Sequence, residues 1–308
     1  MGKPEIGVYL PQMGFTYEQM LDRTRRCEEL GIDSLWLYDH LYGPGVPDYP
    51  SLEAWTLATA LLSNTERIRV GHMVLCNQFR HPAVLAKMAT TLDQICPGRL
   101  QLGLGSGSIE DEHNRVGLPW GSFRERSERL GETLEILTQA FADERIDFSG
   151  KHFTVTDFPV KPGAVHRPPI VVGGVGEKYT LPLVARYADV WNLPTYALRE
   201  LHHKVSVLRA ICEDVGRDPS SIVLSVEAVM ALAPDDATLP DVRQLAEKRF
   251  GAPAFGLREG GLIGTPSAVV DRLHELQELG FGQIVLFTHD RGSDQTLDLL
   301  ASEVIARL

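Results

Sequence analysis

Residues 34–40 read Ser-Leu-Trp-Leu-Tyr-Asp-His, an apolar run that ends in two titratable side chains. The run at 34–38 lacks a polar residue at every second position, so it predicts a strand that is buried on both faces of a parallel sheet. Further short apolar runs share this character, and they occupy residues 6–10, 68–75, 100–104, 170–172, 190–192, 222–229 and 284–287.

Longer amphipathic segments separate these runs and predict helices. Thr16-Tyr17-Glu18-Gln19 has the pattern of a capping box, and Thr265-Pro266 places an N-cap before a proline at the first helical position. Strands and helices alternate in about eight units, which predicts an α/β protein of the (β/α)₈ TIM barrel class with insertions. An open, doubly wound sheet is the alternative.

The 308 residues are interpreted as one barrel domain, residues 1–308, because barrels of roughly 250 residues or more fold as single units. Two segments interrupt the alternation. Residues 145–162 contain Asp147-Phe148-Ser149-Gly150-Lys151, which predicts a hairpin turn. Residues 233–264 are rich in proline and glycine, and we expect them to form an irregular insertion that acts as a lid.

Composition restricts the partners and the compartment. A formal net charge of −11 argues against nucleic acid and against an anionic membrane surface as partners. The four cysteines form no Cys-x-x-Cys pair, and Cys76 is interpreted as a packing residue rather than a reactive thiol. No secretion signal and no apolar run of about 20 residues is visible. We therefore expect a cytoplasmic protein that acts on a small-molecule substrate.

Functional residues of a barrel lie where its strands end, and two of these ends are rich in glycine. The turn at 173–176 predicts either a backbone phosphate site before a helix that begins near Glu177, or a plain tight turn. The G-x-G-x-x-G spacing fails there because Tyr179 stands at the third glycine position. The glycines at 103–107 fit the approach of a flat ring or a phosphate, and they fit close strand packing equally well.

Two titratable residues, Asp39 and His40, end the second strand. His40 fits proton transfer that accompanies hydride transfer, and it also fits a structural hydrogen bond. A metal site would have to gather these two with Glu110, Glu112 and His113, but no H-E-x-x-H motif occurs. Residues 110–113 are instead interpreted as the solvated start of a helix. A redox enzyme is therefore favoured over a metal-dependent barrel hydrolase.

At these residues the sequence resembles the luciferase-like flavin enzymes and, within them, the F420-dependent oxidoreductases. The resemblance extends over nearly the whole chain and rests on the order of many short segments. They are residues 34–40, 53–57, 80–87, 98–100, 102–107, 112–113, 117–119, 173–181 and 188–192.

The resemblance implies a homodimer that holds coenzyme F420, a 5-deazaflavin hydride carrier, at the C-terminal ends of the strands. It implies that Asp39 and His40 lie beside the ring, with His40 acting in proton transfer. It also implies a non-proline cis peptide bond between Met73 and Val74, behind the ring. The residues assigned to the cofactor are Asp39, Met73, Val74, Cys76, Gly105, Ser106, Gly107 and, for the phosphate, Gly173, Gly174, Val175 and Gly176.

The substrate side departs from the family pattern. Where the family often has an aromatic residue, and its sugar-phosphate dehydrogenases have an acidic one, this chain has Ser108-Ile109. Asn77, Ser108 and Glu110 are the candidate substrate contacts, and the substrate stays open. The expected function is hydride transfer between F420 and a small organic molecule. The alternatives are an FMN-dependent luciferase-like monooxygenase and a non-catalytic deazaflavin-binding protein.

Overall fold

A computed structural model describes residues 2–143 and 145–308. Met1, where the expected domain begins, and Glu144 lie outside the described residues. The strands are β1 (Glu5–Tyr9), β2 (Ser34–Leu37), β3 (Arg69–His72), β4 (Leu75–Cys76), β5 (Leu100–Gly105), β6 (Arg145–Ser149), β7 (Thr154–Pro159), β8 (Ile170–Gly173), β9 (Val190–Pro194), β10 (Val223–Leu232), β11 (Leu262–Gly264) and β12 (Phe281–Thr288).

The α-helices cover the outside of the strands. They are α1 (Tyr17–Glu29), α2 (Ala54–Ser63), α3 (Pro82–Ile95), α4 (Glu110–Val116), α5 (Phe123–Ala142), α6 (Thr180–Tyr187), α7 (Leu201–Asp214), α8 (Leu239–Phe250), α9 (Leu257–Gly260), α10 (Pro266–Glu278) and α11 (Asp294–Leu299). The predicted capping box forms at the start of α1, where Thr16 accepts from the Gln19 amide and Gln19 accepts from the Thr16 amide. In the described part of the chain, no helix is both long and apolar enough to cross a membrane.

The sheet closes on itself through parallel pairs. β12 pairs with β1, and the order then runs through β2, β3, β5, β8, β9 and β10 back to β12. Each of the eight apolar runs that predicted a strand forms one of these eight barrel strands. The pairing of the first with the last strand confirms the TIM barrel and excludes the open, doubly wound sheet.

The third strand is interrupted, although the sequence predicts one strand over 68–75. β3 ends at His72, and the chain resumes pairing with β5 only at β4. The peptide bond between Met73 and Val74 is cis, which confirms the expectation drawn from the resemblance. The side chains of Met73 and Val74 lie in the upper barrel interior, in a cluster with Trp36, Val171 and Val285.

The two insertions differ in character. Residues 145–159 form the predicted antiparallel hairpin, β6 and β7. The expectation of an irregular segment at 233–264 is wrong, because it contains α8, α9 and β11, with β11 pairing beside β10. The apolar positions of α8 have helical spacing, with Ala246 and Phe250 buried against β10 and β12. Its prolines and glycines stand at the ends of these elements.

Candidate active site

A cleft of about 450 Å³ opens at the C-terminal ends of the barrel strands. The ends of β2, β4, β5 and β8 meet here because a closed parallel barrel brings all its strand termini to one face. All the residues assigned to the cofactor line this cleft, as does His40. They are joined by residues that had no assigned role, and these are Leu75, Ile109, Glu112, His113, Phe123, Thr180 and Tyr196.

His40 is held by a buried carboxylate. Its Nδ1 lies 2.8 Å from Glu112 Oε2, and the other carboxylate oxygen accepts the Leu41 N–H at 2.6 Å. Glu112 is only 2% exposed, whereas a quarter of the His40 side chain is open to the cleft. A carboxylate that accepts here requires the hydrogen on Nδ1, so Nε2 is the ring nitrogen available for proton transfer.

The interpretation of residues 110–113 as a solvated helix start is therefore wrong for two of them. Glu112 and His113 are buried on the inner face of α4, while Glu110 and Asp111 are exposed. His113 Nδ1 donates to the Ile109 carbonyl oxygen at 2.9 Å, and its ring packs edge-on against Trp120. The sequence shows only three consecutive acidic residues here, and it does not distinguish the one that the structure buries.

Asp39 has a structural network of its own. It makes a two-pronged ion pair with Arg80, at 2.7 and 3.0 Å, and accepts the Cys76 N–H at 2.8 Å. Arg80 also contacts Glu53, which caps the N-terminus of α2. Burial raises the pKa of Asp39, and the Arg80 guanidinium acts in the opposite direction. Asp39 thus fixes the start of the β4 loop beside His40.

Cys76 is a packing residue in the cleft wall. Its Sγ lies 3.6 Å from His113 Nε2. Burial raises the pKa of the thiol to about 12, so the thiol stays protonated at neutral pH. This supports the packing interpretation over a reactive nucleophile.

Val74 projects into space that only glycines leave free. A Cβ atom on Gly105 would lie 2.5 Å from a Val74 methyl carbon, and one on Gly173 would lie 3.1 Å from the other. A Cβ atom on Gly103 would collide with the His72 carbonyl oxygen. Close packing against the interrupted third strand therefore explains these three glycines, and the valine forms the floor of the cleft.

The helix that follows the turn after β8 begins later in the sequence than expected. α6 begins at Thr180 rather than near Glu177, because Pro182 lacks an N–H and fits only the first helical turn. Gly174 has φ of +114°, a conformation that favours glycine, and its amide donates to the Asn192 carbonyl oxygen. Among the described residues, the amides of Val175, Gly176 and Glu177 have no protein acceptor. They can bind an anion.

Of the three candidate substrate contacts, only Ser108 lines the cleft. Asn77 is buried and lines a neighbouring cavity together with Arg80 and Phe153. Glu110 is exposed at the start of α4 and is absent from the cleft lining. Tyr196, two residues after the end of β9, lies at the cleft instead. Its position just after a strand end was the signal in the sequence that could have identified it as a cleft residue.

A second titratable group lies deeper in the barrel mouth. Glu227 on β10 is mostly buried, and burial raises its pKa to about 7. Tyr9 is partly buried nearby, and its pKa rises through burial and through the charge of Glu227. The described residues hold no group of three or more His, Cys, Asp or Glu side chains suited to bind a metal ion.

The family model of luciferase-like monooxygenases matches residues 3–250. An F420-dependent glucose-6-phosphate dehydrogenase of Microbacterium testaceum is 29% identical over 96% of this chain and 94% of its own length. An F420-dependent hydroxymycolic acid dehydrogenase of Mycobacterium tuberculosis is 28% identical over 75% of this chain and 64% of its own.

Solved structures share the fold. An F420-dependent secondary alcohol dehydrogenase in complex with an F420-acetone adduct superposes with a TM-score of 0.86 at 20% identity, over 99% of both chains. A long-chain alkane monooxygenase superposes with a TM-score of 0.84 at 16% identity, over 100% of this chain and 91% of its own.

Proposed function

The chain belongs to the luciferase-like monooxygenase family, and we propose that it is an oxidoreductase that transfers a hydride between coenzyme F420 and a small organic substrate. The observation that carries the proposal is the His40–Glu112 pair, which presents one ring nitrogen at a cleft of cofactor size at the barrel mouth. F420-dependent dehydrogenases among the relatives support this choice of cofactor over FMN.

The residues of the cleft fit F420. The glycines around Val74 let a flat ring approach the backbone of β5 and β8. The amides of Val175, Gly176 and Glu177 precede α6, and their free hydrogens suit the cofactor phosphate. A Cβ atom on Gly176 would lie 3.1 Å from Thr180 Oγ1, so the absence of a side chain keeps this hydroxyl accessible. We assign the ring to the Val74 side and the phosphate to the turn before α6.

When bound, F420 supplies a two-electron hydride carrier. His40 Nε2 takes up or releases the proton that accompanies the oxidation or reduction of the substrate. Glu112 holds the hydrogen on Nδ1 and stabilises the charged imidazole. Asp39, through Arg80 and the Cys76 amide, positions the loop that carries His40.

Titration with the two cofactors tests the proposal. Purified protein should quench F420 fluorescence with a Kd in the low micromolar range or tighter, about −8 kcal/mol, and bind FMN more weakly. Hydride transfer is then assayed from the absorbance of F420 with a panel of alcohols and carbonyl compounds. Tight FMN binding without F420 binding would favour the monooxygenase alternative, and F420 binding without turnover of any panel member would favour a binding protein.

We further propose a cytoplasmic homodimer. All four cysteines are free thiols. On α3, Val84 and Ile95 are 53% and 55% exposed, and they lie beside Met88 and Trp55 in an apolar surface groove. Exposed apolar surface of this kind supports an interface between two copies. Sedimentation should give a dimer for the wild type and a monomer for Ile95→Glu.

A further inference from the structure

A second cavity, of about 440 Å³, lies at the barrel mouth beside the candidate active site. Its walls include Met13, Tyr49, Phe255 and Phe287, together with the guanidinium groups of Arg249 and Arg291. We call it the aromatic pocket. It draws on segments that lie far apart in sequence, after β1, in α8 and after β12. None of the described residues that line it also lines the cleft of the candidate active site.

The aromatic pocket adjoins the active site through Tyr9. The Tyr9 ring packs edge-on against Phe287, with ring centroids 4.7 Å apart. On its other side Tyr9 belongs to the cluster that contains Met73 and Val74, the floor of the cleft. Tyr9 therefore lies between the aromatic pocket and the floor of the cleft. Tyr38 lies beside His40, with the two ring centroids 5.1 Å apart.

The two arginines bring positive charge to this pocket, and no carboxylate ion pair among the described residues neutralises it. Arg249 donates to the carbonyl oxygens of Thr288 and His289, at 3.0 and 3.2 Å, and Arg291 donates to the Met13 carbonyl oxygen. Neither makes an ion pair with a carboxylate in the described part of the chain. The charge of Asp290 acts on Arg249, but one Asp290 oxygen accepts from Ser293 and neither oxygen forms an ion pair with Arg249. Burial and the charge of Arg291 lower the pKa of Arg249 to about 10.

Unpaired cations are costly to keep away from water unless an anion compensates them. A guanidinium has five N–H donors, and the carbonyl contacts use only some of them. The chain as a whole carries a net charge of −11, whereas this pocket contains two arginines without an ion pair to any carboxylate that the structure describes. Arg291 also has a φ of +65°, a backbone conformation that favours glycine over arginine.

We propose that the aromatic pocket binds the carboxylate group of a substrate with an aromatic or otherwise apolar body. The guanidinium groups bind the carboxylate in their planar fork geometry, and the phenyl rings and Met13 contact the body. The proposal rests on the proposed function, because it names the substrate class of that same site. A sugar phosphate suits the pocket poorly, since phenylalanine walls leave sugar hydroxyls without hydrogen-bond partners.

The proposal is tested by binding measurements on the F420-saturated protein. The probes are 3-phenylpropionate, its neutral counterpart 3-phenylpropan-1-ol, and glucose 6-phosphate, each followed by ligand-observed NMR. We expect 3-phenylpropionate to bind at least about tenfold more tightly than either of the others. Arg291→Gln should weaken its binding by about 10- to 100-fold, the effect of losing a hydrogen bond to a charged group, and leave the alcohol unchanged. Arg291→Lys should restore part of the loss.

Arg23→Gln is the matched control. Arg23 stacks on the same Phe15 ring as Arg291, at 5.2 Å against 4.0 Å, and it donates to the carbonyl oxygen of Gly292, but it lies outside the aromatic pocket. It should bind 3-phenylpropionate as the wild type does, and a loss equal to that of Arg291→Gln would overturn the proposal.

Three further results would overturn it. One is equal affinity for the carboxylate and the alcohol, and another is tighter binding of glucose 6-phosphate than of 3-phenylpropionate. The third is a loss of F420 affinity in Arg291→Gln with unchanged carboxylate binding, which would assign the arginines to the anionic part of the cofactor. If the protein binds no F420, the proposed function fails, and the same titrations without F420 still decide the occupant of the pocket.

Discussion

Glu112→Gln should abolish most of the turnover while the barrel stays folded. The carboxylate is 2% exposed and accepts two hydrogen bonds, from His40 Nδ1 and from the Leu41 amide. A glutamine oxygen can still accept from the Leu41 amide, but its NH₂ group then faces Nδ1 as a donor. Nδ1 must accept, so the hydrogen moves to Nε2, and Nε2 can no longer take up a proton.

The expected losses of turnover and of stability follow from these two contacts. Removal of a positioned general acid or base lowers kcat by roughly 10²–10⁴, which is about 3–5 kcal/mol in activation free energy. The free energy of unfolding should fall by only about 1–3 kcal/mol, because two charge-assisted hydrogen bonds are exchanged for neutral ones. Cofactor affinity should stay close to that of the wild type, since Glu112 acts through His40.

Two measurements check this prediction, and one of them needs no substrate. The ¹⁵N shifts of the His40 ring report which nitrogen carries the hydrogen, and stopped-flow absorbance of F420 reports hydride transfer. Asp111→Asn is the control, because Asp111 precedes Glu112 on α4 but is exposed and binds Tyr42 and Arg115. An unchanged His40 tautomer together with kcat within threefold of the wild type would refute the reasoning.

Three other substitutions separate the roles of the site. His40→Ala should lower kcat by roughly 10²–10⁴ with little change in F420 affinity, and unchanged turnover would return His40 to a structural role. Gly176→Val, whose Cβ atom would lie 3.1 Å from Thr180 Oγ1, should weaken F420 binding and change Tm little, whereas a large fall in Tm that accompanies the loss of binding would indicate a plain turn. Glu227 has a folded-state pKa raised by burial to about 7, so its stabilising contribution is lost as pH rises from about 4.5 to 7. Urea melts should therefore give Glu227→Gln a higher free energy of unfolding than the wild type at pH 8, by at most about 3 kcal/mol. This difference should vanish near pH 4.

Local patterns in the sequence were sufficient for the barrel. A strand that is buried on both faces needs an unbroken apolar run, and a helix start needs a cap, and both are set by neighbouring residues. The eight runs and the capping box at Thr16 could be identified for that reason. The strand ends then predicted Asp39, His40 and the glycines of the cleft, because a barrel brings its strand termini to one face. The cis bond at Met73 had no local signal and came from the family resemblance.

The partner of His40 was decided by the tertiary structure alone. Glu112 lies 72 residues further along the chain, and only the closed barrel brings α4 over the end of β2. The arginines of the aromatic pocket depend on closure too, since β12 must pair with β1 before Arg291 can reach Met13. Periodicity records which face of an element is buried, but it does not record what that face meets. Contacts between distant segments depend on strand order and register, and those are properties of the whole barrel.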